Sequence, residues 1–199
     1  MRTIGITGGV GAGKSTVLEY MASHLDACVL EADKVGHLVM EPGGACYDAI
    51  INLFGKDVIK SDKTIDRKRV SDVVFCNGKM LALLNGIIHP AVKEFICRRL
   101  REERESGRKL SVVEAALLLE DHYEIFCDEI WYIHTDEETR IARLMESRGY
   151  TREKALSIIR NQAAEEFFRA HADYVIENNG DLKTTHEQIE KGVKRNEIL

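Results

Sequence analysis

The chain has 199 residues, of which 44% are hydrophobic, enough for one domain with a real core. A formal net charge of −5 argues against a nucleic-acid backbone as main partner, since that partner calls for a clustered basic face. Five scattered cysteines without a C-x-x-C pair, no uninterrupted apolar stretch near the ~18 residues that cross a bilayer, and an opening "RTIGIT" without a cationic leader predict a cytoplasmic protein with no membrane partner.

In chain order, short β-rich apolar runs occur at 3–7, 27–30, 110–113, 129–133 and 174–176, with helical patterns between them. That rhythm predicts an α/β fold built on a parallel sheet flanked by helices. Between the second and third runs, residues 33–108 contain no strand-like run and predict an inserted helical lobe. Within it Val92, Phe95, Ile96 and Leu100 repeat at helical spacing behind Pro90, which suits a first-turn position, and Gly107 marks a stop. The following run from Arg98 interleaves arginine with Glu102, Glu103 and Glu105, as on a solvated helix face. Asp136 is placed to cap a helix carrying Ile141, Leu144 and Met145, and "SRGY" at 147–150 breaks it before a second helix.

The first run leads into "GITGGVGAGKST", in which Gly8-x-x-x-x-Gly13-Lys14-Ser15 fills every position of a phosphate-binding loop between a strand and a helix. Gly8, Gly9, Gly11 and Gly13 let successive N–H groups, with those of Ala12 and Thr16 nearby, turn onto phosphates, and the helix start adds a positive end. Lys14 would reach the β and γ phosphates, and the Ser15 hydroxyl would ligate Mg²⁺. A nucleoside triphosphate with Mg²⁺ is therefore the expected ligand.

A GTP switch would need an N-K-x-D segment, which is absent, and the D-x-x-G at Asp33–Gly36 comes too early in the chain to serve one. A small-molecule kinase is the leading class, and a kinase needs a carboxylate to orient the attacking hydroxyl. Asp33 ends the second run, where ligands of open α/β sheets gather, but it could equally cap the helix that follows. Glu114 ends the third run; it reads either as a group holding a magnesium water or as a solvent-facing strand end. Arg140, Arg143 and Arg148 could close over the transferring phosphoryl and exclude water, Arg143 being best placed because Arg148 also suits a helix C-terminus.

With these features in view, the chain resembles the dephospho-CoA kinase family from its phosphate loop to "YVIENNG" at 174–180, by way of "ADKVGHLV", "EPGG", "IDRKRVSDVVF", "LLNGIIHPAV", "ALLLE", "RIARL" and "RNQ". It departs from the usual pattern at Glu31, Ala116, Leu119, Arg140 and Ser147. The resemblance implies a phosphate-loop core (about 1–32, 109–137 and 166–199), an acceptor lobe at about 33–108 and a lid at about 138–165. It implies phosphorylation of the ribose 3′-hydroxyl of dephospho-CoA by ATP, with Asp33 as base and Arg143 approaching ATP. Another nucleoside or nucleotide kinase, or an ATP-binding regulatory module that transfers nothing, are the alternatives.

Overall fold

A computed structural model describes residues 1–195. The chain forms two compact units, one of Met1–Val29 with the chain from Glu103 on, the other Leu30–Glu102.

The first unit is built on the sheet. Strands β1 (Arg2–Thr7), β2 (Cys28–Glu31), β3 (Leu110–Glu114), β4 (Glu129–His134) and β5 (Tyr174–Glu177) lie in the order β2-β3-β1-β4-β5. Pairing is parallel, with Ile6 opposite Glu114 on one side and Trp131 on the other, and Ile133 opposite Ile176. Strands β3 and β4 are buried along their whole length, as strands covered on both faces must be, and so read as apolar runs rather than alternating ones. Helices α1 (Lys14–His24) and α9 (Leu182–Lys194) bring Val17, Met21 and Ile189 onto Ile4, Ile6, Val112, Trp131 and Ile133 to form the main core. A second cluster joins α6 (Glu137–Arg148) to α7 (Arg152–Arg160) through Ile141, Leu144, Ala155 and Ile159, and Val10 of the phosphate loop packs against it. Helix α8 (Glu165–His171) sets Phe168 against Tyr132.

Asp136 occupies the N-cap position of α6 as expected, but its side chain makes no capping bond; its backbone N–H donates instead to Asn179 Oδ1 at 2.8 Å. Gly149 closes α6 in the left-handed region, at φ 62°, and the Thr151 hydroxyl caps α7.

The second unit is helical: α2 (Ala32–Val39), α3 (Tyr47–Phe54), a 3₁₀ turn at Lys56–Val58, α4 (Arg67–Phe75) and most of α5 (Gly78–Glu105), with a single antiparallel bridge from Ile59 to Ile65. The long helix corrects the expectation from sequence. It begins at Gly78, and Pro90 lies inside it rather than in its first turn. Asn77 starts it by accepting the N–H groups of Lys79 and Met80 at its side-chain oxygen, and Leu84, Val92, Ile96 and Leu100 form one buried stripe that runs through the proline. A proline inside a helix removes the bond to the carbonyl four residues back, here Gly86, and disturbs the neighbouring turn. The Cys46 thiol donates to the next carbonyl, Ile87 O, at 3.5 Å.

Candidate active site

The loop between β1 and α1 turns back on itself by donating Ala12 N–H to Gly9 O at 3.1 Å, and it enters α1 through Gly13, at φ 85° and ψ 27°. Gly11 is left-handed too, at φ 76°. Only glycine adopts such a backbone without strain. Lys14 Nζ donates to Gly8 O at 2.8 Å and stands 3.6 Å from Glu114 Oε1. Glu114 is 8% exposed, so it is not the solvent-facing strand end that its position allowed. A buried carboxylate is costly without a partner, and Lys14, from the first turn of α1, supplies the opposite charge at the end of β3. Ser15 is exposed on the first turn of α1, and Thr16 follows it.

Two arginines of α6 meet this loop from behind. Arg140 Nε donates to Val10 O at 2.8 Å, and its Nη2 donates to Gln162 Oε1, which also accepts Val10 N–H at 3.0 Å. A Cβ on Gly9 would lie 2.2 Å from Arg140 Nη2, so the glycine there is what lets the guanidinium close on the loop. Gly11 does the same for the backbone of α6, since a Cβ there would lie 3.0 Å from Arg140 O and 3.2 Å from Leu144 Cγ. The expectation that Gly11 serves the phosphate cradle is thus joined by a packing role: it lets α6 approach the loop closely. Burial lowers the pKa of Arg140 from its ordinary value. Arg143 donates to Asn178 O at 2.8 Å and to Ala12 O at 3.4 Å. Arg148, in the last turn of α6, is exposed, and no contact among the described residues joins it to the loop.

Asp33 lies in the second unit. It is the second residue of α2, exposed, and lies two positions past Glu31, the carboxyl end of β2. The N-cap position belongs to Glu31, so Asp33 does not cap α2; as an acidic residue of the first turn it complements the positive end of the helix. Glu31 is occupied by Lys34 at 2.7 Å.

Four residues at this site carry no role in the sequence reading. Thr135, Gln162 and Asn178 make polar contacts to the loop, Thr185 bonds Asn178 behind them, and all but Gln162 are buried. "RNQ" and "ENNG" contain two of them, but a local motif does not say which backbone atom a side chain will meet more than a hundred positions away. Among the described residues no group of three or more His, Cys, Asp or Glu is placed to hold a metal ion.

The family model for dephospho-CoA kinase matches residues 2–184. A dephospho-CoA kinase of Carboxydothermus hydrogenoformans is 37% identical over 186 residues, covering 94% of this chain and 90% of that protein. A Thermus thermophilus protein of known crystal structure superposes with a TM-score of 0.79 at 30% identity, covering 100% of this chain and 98% of its own. A dephospho-CoA kinase from Campylobacter jejuni shares the fold, with a TM-score of 0.73 at 24% identity over 98% of this chain and 97% of its own.

Proposed function

This chain belongs to the dephospho-CoA kinase family, and we propose how its residues divide the work of that family's reaction, the ATP-dependent phosphorylation of dephospho-CoA to coenzyme A. The observation that carries the assignment is the glycine loop ending at left-handed Gly13, with Lys14 and buried Glu114 beneath it.

The loop amides, those of Gly11 and Gly13 included, and the start of α1 bind the phosphate chain of ATP. Lys14, now resting on Gly8 O and beside Glu114, supplies positive charge to the β and γ phosphates. The Ser15 hydroxyl and the Glu114 carboxylate are the oxygen donors suited to Mg²⁺. So sparse a donor set fits an ion that keeps several waters and takes its other ligands from phosphate. Bound there, Mg²⁺ would neutralise charge on the transferring group. Asp33 orients the acceptor's ribose 3′-hydroxyl and takes its proton; its place after the carboxyl end of β2 supports this role. The O–H bond breaks as the oxygen bonds to the γ-phosphorus, the bond to the β,γ-bridging oxygen breaks, and ADP leaves. Arg143, which stands against Gly13, places a guanidinium beside the phosphates; to reach the transferring group it must release Asn178 O. Arg140 serves from the other side, through Val10. The helical unit Leu30–Glu102 serves the acceptor. A cytoplasmic setting is the reading that five cysteines without a disulfide support.

The test compares kcat/KM for dephospho-CoA, AMP and adenosine at saturating MgATP. Dephospho-CoA is expected to lead, because its pantetheine arm offers remote binding energy that can orient the ribose. An AMP value equal to or above it overturns the acceptor assignment.

A further inference from the structure

The turn after β5 holds a buried amide that the reaction scheme does not use. Asn178 is 3% exposed, its backbone N–H donates to His134 O at 2.8 Å, and its side chain reaches the phosphate loop, where Nδ2 donates to Ala12 O at 2.8 Å. The orientation of that amide follows from its neighbours. A carbonyl oxygen only accepts, so the atom facing Ala12 O must be the NH₂, and the opposite oxygen accepts the Thr185 hydroxyl at 2.8 Å. Thr135 Oγ1 also lies 3.0 Å from Ala12 O, its one proton shared among that oxygen, His134 O at 2.8 Å and Asn178 O at 3.2 Å, and Arg143 Nη1 stands 3.4 Å from Ala12 O. One loop carbonyl is thus held from β5, from the end of β4 and from α6.

The peptide that carries this carbonyl also carries the Gly13 N–H. In a planar trans peptide the two point in opposite directions. Pulling Ala12 O into the protein therefore turns the Gly13 N–H outward to the concave side of the loop, where phosphate oxygens sit, and it fixes the entry angle of Lys14. The contact also requires the glycine, since a Cβ on Gly13 would lie 2.3 Å from Asn178 Nδ2. Fixing a donor in advance removes an ordering cost that nucleotide binding would otherwise meet.

We propose that Asn178 is a positioning residue for the phosphate-binding loop, acting through Ala12 O to aim the Gly13 amide at the nucleotide, with Thr185 setting its amide orientation and Thr135 sharing the same carbonyl.

The decisive variant is Asn178→Asp, which keeps the shape and the oxygen that accepts from Thr185 but presents an acceptor to Ala12 O. In the presence of Mg²⁺, calorimetric ADP affinity and KM for MgATP are expected to worsen by roughly ten-fold, the scale of one well-made hydrogen bond, while KM for dephospho-CoA moves by less than about two-fold. Thr185→Val is expected to move the same two nucleotide quantities in the same direction by a smaller factor. A role in stability alone predicts a lower melting temperature with nucleotide affinity unchanged at temperatures where the variant is folded, and that result overturns the proposal. An equal rise in both KM values overturns it as well. If Asn178→Asp does not fold, Thr135→Val, which removes another donor from the same carbonyl, decides the matter by the same criteria. ADP binding involves no acceptor, so this outcome stands apart from the identity of the phosphorylated molecule.

Discussion

At the scale of single residues, charge and proton acceptance separate cleanly. Lys14 makes a backbone bond and an ion pair with buried Glu114 and carries no part of the apolar core, so Lys14→Ala is expected to stay folded, to melt somewhat below the parent because it removes the charge opposite that carboxylate, and to lose nearly all transfer. Melting by calorimetry beside ADP release checks the pair; a variant that turns over like the parent removes the lysine from the mechanism. For Asp33→Asn, kcat is expected to fall by roughly 10²-fold or more with ATP affinity little changed, as for loss of a positioned proton acceptor. Because Asp33 is exposed and is not the cap of α2, a normal rate in this variant leaves it no catalytic part. The loop and its lysine were legible because a phosphate cradle needs contiguous residue types in fixed order, whereas at Asp33 and Glu114 the sequence left two readings each, since burial and capping depend on neighbours distant in the chain. The partners of Ala12 O were not legible, because they come from positions 135, 143 and 178. Nor was the second duty of Gly11, whose neighbours Arg140 and Leu144 lie on α6.

At the scale of elements, α5 tests the cost of a helical proline. Pro90 is exposed, so Pro90→Ala loses no packing and regains the bond to Gly86 O. The gain in helix propensity is up to about 3 kcal/mol, offset by up to about 1 kcal/mol of added unfolded-chain entropy, so a higher melting temperature is expected. A lower one would mean that the bond from Cys46 to Ile87 O, or the path of the helix, depends on the proline.

Elements β4, α8 and β5 are joined by a charge cluster: Glu165 Oε2 stands 3.2 Å from His134 Nε2, Glu177 meets His134 Nδ1, and Arg169 bonds both carboxylates. The Arg169 bond, aided by His134, lowers the Glu165 pKa; burial alone would raise Glu177, but bonds from His134 and Arg169 outweigh it. A carboxylate whose pKa is depressed on folding adds stability above its unfolded value and loses it as pH falls through the folded one. The gap in urea midpoint between the parent and Arg169→Gln is therefore expected to be present at neutral pH and to close as pH falls below about 4. Both carboxylates are nearly half exposed, so the gap is small, and added salt narrows it. A gap that stays constant with pH would show that Arg169 acts by packing.

At the scale of the whole molecule, the five thiols report on burial in both units. Burial foremost, aided by Asp128 and Glu124, pushes the Cys127 thiol up to about 12, and burial also raises Cys46, whereas Cys76 is exposed beyond α4. Because the thiolate is the reactive form, a disulfide reagent at about pH 8 is expected to modify Cys76 first and Cys127 only on unfolding. Cys76→Ser should remove the fast phase, and equal rates for Cys127 and Cys76 would contradict the packing of Cys127 against Gly5 of β1.

The sequence by itself determined the α/β rhythm, the phosphate loop and the family, because these depend on local periodicity, on glycines at fixed spacing and on residue types that one chemistry requires in order. Tertiary structure decided where α5 begins, because a continuous buried stripe and the Asn77 cap outweigh the local cost of Pro90. It also decided which polar groups back the loop. Asn178 and Ala12 are 166 positions apart, and only the placing of β5 beyond β4 in the same sheet as β1 brings an acceptor-only carbonyl within reach of that amide.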